Sequence, residues 1–143
     1  MNKDFDRKQG IGGSDATKLY NGEWHTLWLE KTGDAEPVDL SDVLPVQMGV
    51  HTEPFNIQWF EKQYGFEVTN RQETFFHKDY PYLYAHVDGL ILGKNKALLE
   101  CKHTNAFTNS KKQADKYKAQ IQHYLMVTGY PKLYFSAFYG NMK

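Results

Sequence analysis

LYAHVDGLILGKNKALLECKH, residues 83–103, reads as two strands joined by a turn. Leu83 to Leu92 is a largely apolar run interrupted at Asp88-Gly89, and Ala97 to His103 is a second one. Gly93-Lys94-Asn95-Lys96 between them supplies turn residues, which predicts an antiparallel hairpin. Side chains two apart on a strand share a face. Glu100 and Lys102 therefore point one way and Cys101 the other, and His86 and Asp88 share a face by the same rule. The turn brings Asp88 within cross-strand reach of Glu100.

Two carboxylates pushed together in a half-buried sheet repel, and at least one pKa should rise. A hard divalent ion with oxygen ligands relieves that cost. Lys102 beside it could orient or deprotonate a water, or stabilise charge on a scissile phosphate. Asp88, Glu100 and Lys102 thus suit metal-assisted phosphodiester hydrolysis. The same residues also read as a surface aspartate and an exposed Glu-x-Lys pair on an edge strand, because that tripeptide alone is common.

Outward from the hairpin, Val46 to Tyr64 reads as a helix closed by Gly65, with Met48, Phe55, Trp59 and Phe60 as its buried stripe and a kink at Pro54. Phe66 to Thr69 and Glu73 to Phe76 alternate as strands do. Residues 111–128 form a helix with Ala119, Tyr124, Leu125 and Val127 inward, ended by Gly129-Tyr130-Pro131, and Leu133 to Tyr139 is a last aromatic strand. Toward the N-terminus, Ser14 reads as the N-cap of a short helix, and Thr26 to Thr32 as a second one stopped by Gly33. Asp34 to Pro45 is acidic and irregular, the best candidate for a mobile loop. The order condenses to α-β-β-β-α-β after two short helices. Hairpin-joined strands are antiparallel, and the last strand returns through a helix as a parallel crossover. The fold class is α/β, a mixed sheet with helices on both faces.

At 143 residues the chain is expected to be one domain, 1–143. It can bury about 70% of its unfolded surface without a disulfide or structural metal. The lone Cys101 can form no internal bridge, which fits a reducing, cytoplasmic setting. MNKDFDRKQGIGG at the N-terminus has no apolar run and so no signal peptide, and no stretch suits a membrane span. The net charge of +0 conceals an uneven distribution. Residues 1–90 carry 8 Lys/Arg against 15 Asp/Glu, whereas residues 91–143 carry 9 Lys against 2 acids. Lys111, Lys112, Lys116 and Lys118 on the last helix could face phosphates, and they read equally well as a solvated face. His25, His51, His77, His103 and His123 form no spaced metal motif and read as surface or hydrogen-bonded residues.

Four blocks carry a resemblance that extends this reading. They are Arg7-Lys8-Gln9-Gly10-Ile11-Gly12-Gly13-Ser14-Asp15-Ala16; Gly49-Val50-His51-Thr52-Glu53-Pro54; Ala85-His86-Val87-Asp88-Gly89 with Leu99-Glu100-Cys101-Lys102; and Gln120-Ile121-Gln122-His123-Tyr124-Leu125-Met126-Val127-Thr128-Gly129. In this order they resemble the YqaJ-type viral recombinases, the group of the PD-(D/E)XK nuclease superfamily that contains lambda exonuclease.

The resemblance implies a Mg²⁺-dependent exonuclease, with Mn²⁺ as substitute, that digests linear duplex DNA 5′ to 3′ in phage-type recombination inside a bacterial cell. Asp88 and Glu100 would hold the metal with the backbone carbonyl of Cys101, Lys102 would be the catalytic lysine, and Glu53 a further carboxylate at the metal. Gln120 with Tyr124 matches a Gln-x-x-x-Tyr pattern. Both lie on one helix face, where Gln120 could touch the active-site water or DNA and Tyr124 could contact DNA or pack in the core. Glu53 reads otherwise as a helix-surface acid. Residues 1–45 would bind the 5′ end and residues 46–143 form the catalytic core. Ser14 at a helix start, Gly12 and Gly13 allowing close approach, and Arg7 would grip a terminal phosphate, unless they are only a capped helix after a loose start. His86 stands where a small or polar residue is common, and either tunes the metal site or packs beside it.

Partners implied are duplex DNA ends and a single-strand annealing protein. A homotrimeric ring is also implied, but the chain stops just after Tyr139, and the part beyond helps build the ring in similar enzymes. That weighs against a ring and against processive digestion. Alternatives within the same fold are a non-processive or structure-specific endonuclease, or a catalytically inactive DNA-end-binding module.

Overall fold

The break expected at Asp88-Gly89 is where the sheet divides. The computed structural model describes residues 5–140. Its elements are α1 (Gly13–Tyr20), α2 (Trp24–Thr32), α3 (Leu44–Tyr64), β1 (Val68–Thr69), β2 (Glu73–Phe76), β3 (Tyr84–Val87), β4 (Gly89–Ile91), β5 (Ala97–Thr104), α4 (Ser110–Thr128) and β6 (Leu133–Tyr139). The main sheet runs β1-β4-β5-β6, antiparallel except for the parallel β5/β6 pair. β2 and β3 form a separate antiparallel ribbon. β3 and β4 are almost continuous in sequence, yet Asp88 turns its carboxylate onto the β5 backbone and sends them to different partners. The strand segments expected to be consecutive neighbours therefore split between a sheet and a ribbon.

Alternation along β5 puts a helix on each face. Ala97, Leu99 and Cys101 pack with Ile57 and Phe60 of α3, and Leu98 packs with Tyr124 and Val127 of α4. Leu98 and Leu99 are fully buried, and each such leucine contributes roughly 1.5–3 kcal/mol. Gly65 and Gly129 end α3 and α4 in the left-handed conformation, returning their N–H groups to Glu61 and Leu125.

Two local expectations fail. α1 is capped by Gly12, not Ser14, because Asp15 reaches back to the Gly12 N–H at 2.8 Å. Ser14 lies inside the first turn and is exposed. The buried face of α3 is Asn56, Ile57 and Phe60. Phe55 and Trp59 are 54% and 45% exposed, packing on each other, with Phe55 also against Phe138 at the flank of the sheet. α3 has more apolar residues than its contact face can cover, so its sequence period misplaces the stripe.

Candidate active site

The fork at Asp88 gathers the residues singled out above. Gly89 is paired with Leu99, which sets Asp88 beside Glu100 across the strands. Asp88 Oδ2 accepts the Cys101 N–H at 2.7 Å. Glu100 and Lys102 share a face as expected, with Nζ 2.5 Å from Oε1. The same Oε1 accepts from Gln120 Nε2 at 3.0 Å, and that amide also lies 3.0 Å from the Tyr124 hydroxyl. Glu100 Oε2 is buried without a hydrogen-bond partner. Glu53 enters from α3 and accepts from Gln72 Nε2, which sits 3.4 Å from Asp88 Oδ1. Gln72 thus bridges the two acids.

The electrostatics follow from crowding. Burial, then the charge of Asp88, raises Glu53 to about 7. Burial also raises Glu100 to about 7, against the pull of Lys102 and with the push of Asp88. Asp88 is raised by burial despite its bond from Cys101. Burial works against the charge on Lys102, but Glu100 and Asp88 outweigh it and hold its pKa above the ordinary lysine value. Burial pushes the Cys101 thiol up, so the sulfur is an inert core group, and Cys101 itself offers only its backbone to a ligand.

Among the described residues no three His, Cys, Asp or Glu side chains already converge as a metal cage. Gln72 stands between Glu53 and Asp88, and Lys102 covers one oxygen of Glu100. The donor set nevertheless fits a hard divalent ion. Glu53, half-buried, and the buried Asp88 and Glu100 lie close enough to feel one another's charge, all with raised pKa values, and Glu100 Oε2 is buried with nothing to bond. Glu53, Asp88 and Glu100 could hold such an ion, with the Cys101 carbonyl as a fourth oxygen.

Two cavities meet at Lys102 and Tyr117. One, of about 840 Å³, runs past Val46, Val50, Glu53 and Lys116. The other, of about 360 Å³, holds Arg7, Gly13, Ser14, His86, Gln120 and Tyr124. Arg7 Nε donates to the Tyr84 hydroxyl at 3.3 Å, which raises the guanidinium pKa and fixes its plane. Gly13 is pressed against α4, where an added Cβ would lie 2.5 Å from the Tyr124 ring and 2.7 Å from Gln120. Gly12 faces the Tyr84 ring just as closely.

A sequence model of the YqaJ-like viral recombinase domain matches residues 5–131. The chain belongs to that family. It is 38% identical over 150 residues to the uncharacterized protein YqaJ of Bacillus subtilis (strain 168), covering 97% of this chain and 46% of that protein. The chain therefore spans about half the length of that relative. The crystal structure of the alkaline exonuclease LHK-Exo from Laribacter hongkongensis superposes with a TM-score of 0.69 at 17% identity, covering 96% of this chain and 73% of that one. The same enzyme in complex with dAMP gives 0.68 at 17% identity, over 92% and 70%. The chain shares the mixed-sheet α/β fold of that exonuclease.

Within that fold, the structure brings together Glu53, Asp88, Glu100, Lys102, Gln120 and Tyr124, with Arg7, Gly13 and Ser14 in the adjoining cavity. It does not bring all four α4 lysines to the site. Lys116 lines the larger cavity, with Lys112 one turn before it on the same side of the helix, whereas Lys111 and Lys118 lie on another side. Three contributors escaped the sequence reading. Gln72 bridges Glu53 and Asp88, and the Tyr117 ring lies 5.0 Å from Lys102 Nζ. Lys31 joins Asp15 at 2.7 Å and the Arg7 carbonyl at 2.7 Å, anchoring the Arg7 segment to α1. Tyr117 stands three residues before Gln120 on the same helix face, a spacing that could have revealed it. Gln72 and Lys31 carry no local signal.

Proposed function

We propose that the chain is a metal-dependent exodeoxyribonuclease that digests linear duplex DNA from 5′-phosphorylated ends in phage-type recombination. The observation that carries this reading is the meeting of two cavities at Lys102. The smaller one holds a cation, Arg7, and the first turn of α1 at Gly13 and Ser14. Free N–H groups there favour an anion, and the Asp15 charge nearby is offset by Lys31. A terminal phosphate held in the small cavity leaves the following phosphodiester beside Glu100 and Lys102, with the rest of the duplex in the larger one.

Glu53, Asp88, Glu100 and the Cys101 carbonyl would hold Mg²⁺, or Mn²⁺ in its place. When bound, the ion supplies a water of lowered pKa and positive charge next to the scissile phosphate. Lys102, kept charged by Glu100 and Asp88, stabilises negative charge that builds on the phosphate oxygens. Tyr117 shields that ammonium from bulk water on one side. Gln120 ties Glu100 to Tyr124 and so fixes the carboxylate while α1 rests on the same tyrosine. Lys112 and Lys116 track the backbone along the groove. The single strand left by resection passes to an annealing protein.

The test is digestion of end-labelled duplex in Mg²⁺, linear against closed circular, with and without a 5′-phosphate. Rapid release of mononucleotides from phosphorylated linear ends supports the reading. Equal cutting of closed circles points to an endonuclease instead.

A further inference from the structure

Gln72 adopts a φ of +59°, and Asn70 two residues earlier +46°. Glutamine is rarely found in that left-handed region, so something in the fold holds it there. Its backbone N–H donates to the Asp88 carbonyl at 3.4 Å, and its side chain makes a set of bonds that all run in one sense. When ionised, the carboxylates of Glu53 and Asp88 only accept, so they take the amide NH₂ of Gln72. Gln72 Oε1 then faces His86 Nε2 at 2.7 Å, which must carry the hydrogen. His86 Nδ1 is left to accept from the Thr74 hydroxyl at 3.0 Å. The acids therefore set which end of the Gln72 amide meets them, and His86 and Thr74 complete the chain behind it.

Glu53 hangs from α3 and Asp88 from the break between β3 and β4, so nothing local fixes one against the other. Their charges repel, and a neutral donor touching both is what keeps them adjacent. We propose that Gln72, backed by its bond to His86, is a positioning residue that holds Glu53 in register with Asp88 so that both face one divalent cation. The proposal rests on the metal-dependent reading above. By occupying one oxygen of Glu53, Gln72 leaves the other for the ion. Hydrogen bonds of this kind to ligating carboxylates commonly change metal affinity by about 10–100-fold.

Gln72→Gly separates this role from a structural one, because glycine suits the backbone at +59° while the amide is lost. Stability to urea in EDTA should stay equal or rise, while Mn²⁺ affinity measured calorimetrically should fall by about 10–100-fold. Gln72→Met should lose metal affinity likewise. In a Glu53→Gln background, Gln72→Gly should change Mn²⁺ affinity by less than about threefold, since it acts through Glu53. Wild-type Mn²⁺ affinity in Gln72→Gly overturns the proposal, as does an unchanged loss in the Glu53→Gln background. If the unmodified protein binds no Mn²⁺, the metal-dependent reading itself falls, and this proposal with it.

Discussion

Gly13→Ala perturbs the seat of α1, the helix proposed to hold the DNA end, with one methyl group. The new Cβ would sit 2.5 Å from Tyr124 Cε1 and 2.7 Å from Gln120 Cγ. Ordinary carbon contacts begin near 3.5 Å, so α1 or the Tyr124 ring must give way by about 1 Å. Tyr124 is buried and its hydroxyl is bonded to Gln120, which also holds Glu100, so the shift falls mainly on α1. Overpacking of this kind costs roughly 1–3 kcal/mol. At about 3 °C per kcal/mol for a domain of this size, the melting temperature should drop by roughly 3–9 °C. A displacement of about 1 Å between bound end and Lys102 should slow digestion of phosphorylated ends by on the order of 100-fold. Gly49→Ala is the matched control. An added Cβ there meets nothing within 4 Å, and alanine in the middle of α3 should stabilise by up to about 1 kcal/mol. Calorimetric melts and initial rates on 5′-phosphorylated duplex measure both variants. A Gly13→Ala protein as stable and as active as wild type would refute the packing of α1 on α4 and its link to the chemistry.

Arg7→Ala should slow digestion of 5′-phosphorylated duplex by roughly 10–100-fold and barely affect 5′-hydroxyl duplex, since a lost charge-assisted bond costs about 1.5–3 kcal/mol. Equal slowing of both ends would make Arg7 a general phosphate contact. If Lys112 and Lys116 are the α4 lysines that meet DNA, changing both to alanine should reduce the slope of log K against log salt by about 1.8. The Lys111→Ala/Lys118→Ala pair should leave that slope nearly unchanged, and the reverse result would move the DNA to another side of α4. Without metal, Glu53 and Glu100 titrate near 7 instead of the ordinary 4.5. The folded state then binds protons more tightly than the unfolded one, so stability should fall as pH rises from about 4.5 through about 7. Urea melts in EDTA at pH 5 and 8 check this, and a Glu53→Gln/Glu100→Gln protein that keeps the same pH slope would contradict it.

The residues that announced themselves in sequence are those with local periodicity. Glu100 and Lys102 stand two apart on one strand, and the turn at Gly93 delivers Asp88 opposite them. The helix ends at Gly65 and Gly129 are likewise written in single residues. What stayed hidden depends on distant segments meeting. Gln72 lies 19 residues from Glu53 and 16 from Asp88, and only the folded chain shows the three together. The division of the strands into a sheet and a ribbon follows from the Asp88–Cys101 bond, which no alternation of apolar residues encodes. Asp15 displaced Ser14 as the residue that closes the first turn of α1 because Gly12 and Gly13 fit beneath Tyr84 and Tyr124, a steric fact of the packed state.

The central claim is that Glu53, Asp88, Glu100 and Lys102 form one metal-dependent centre for cutting DNA. Its most direct test combines Mn²⁺ binding with cleavage of 5′-phosphorylated linear duplex, for the wild-type protein and for Lys102→Ala. The wild-type protein should bind Mn²⁺, digest the duplex in Mg²⁺ and stop in EDTA. Lys102→Ala should bind Mn²⁺ with little change yet release no nucleotides. Full digestion in EDTA, or digestion undiminished by Lys102→Ala, would contradict the account.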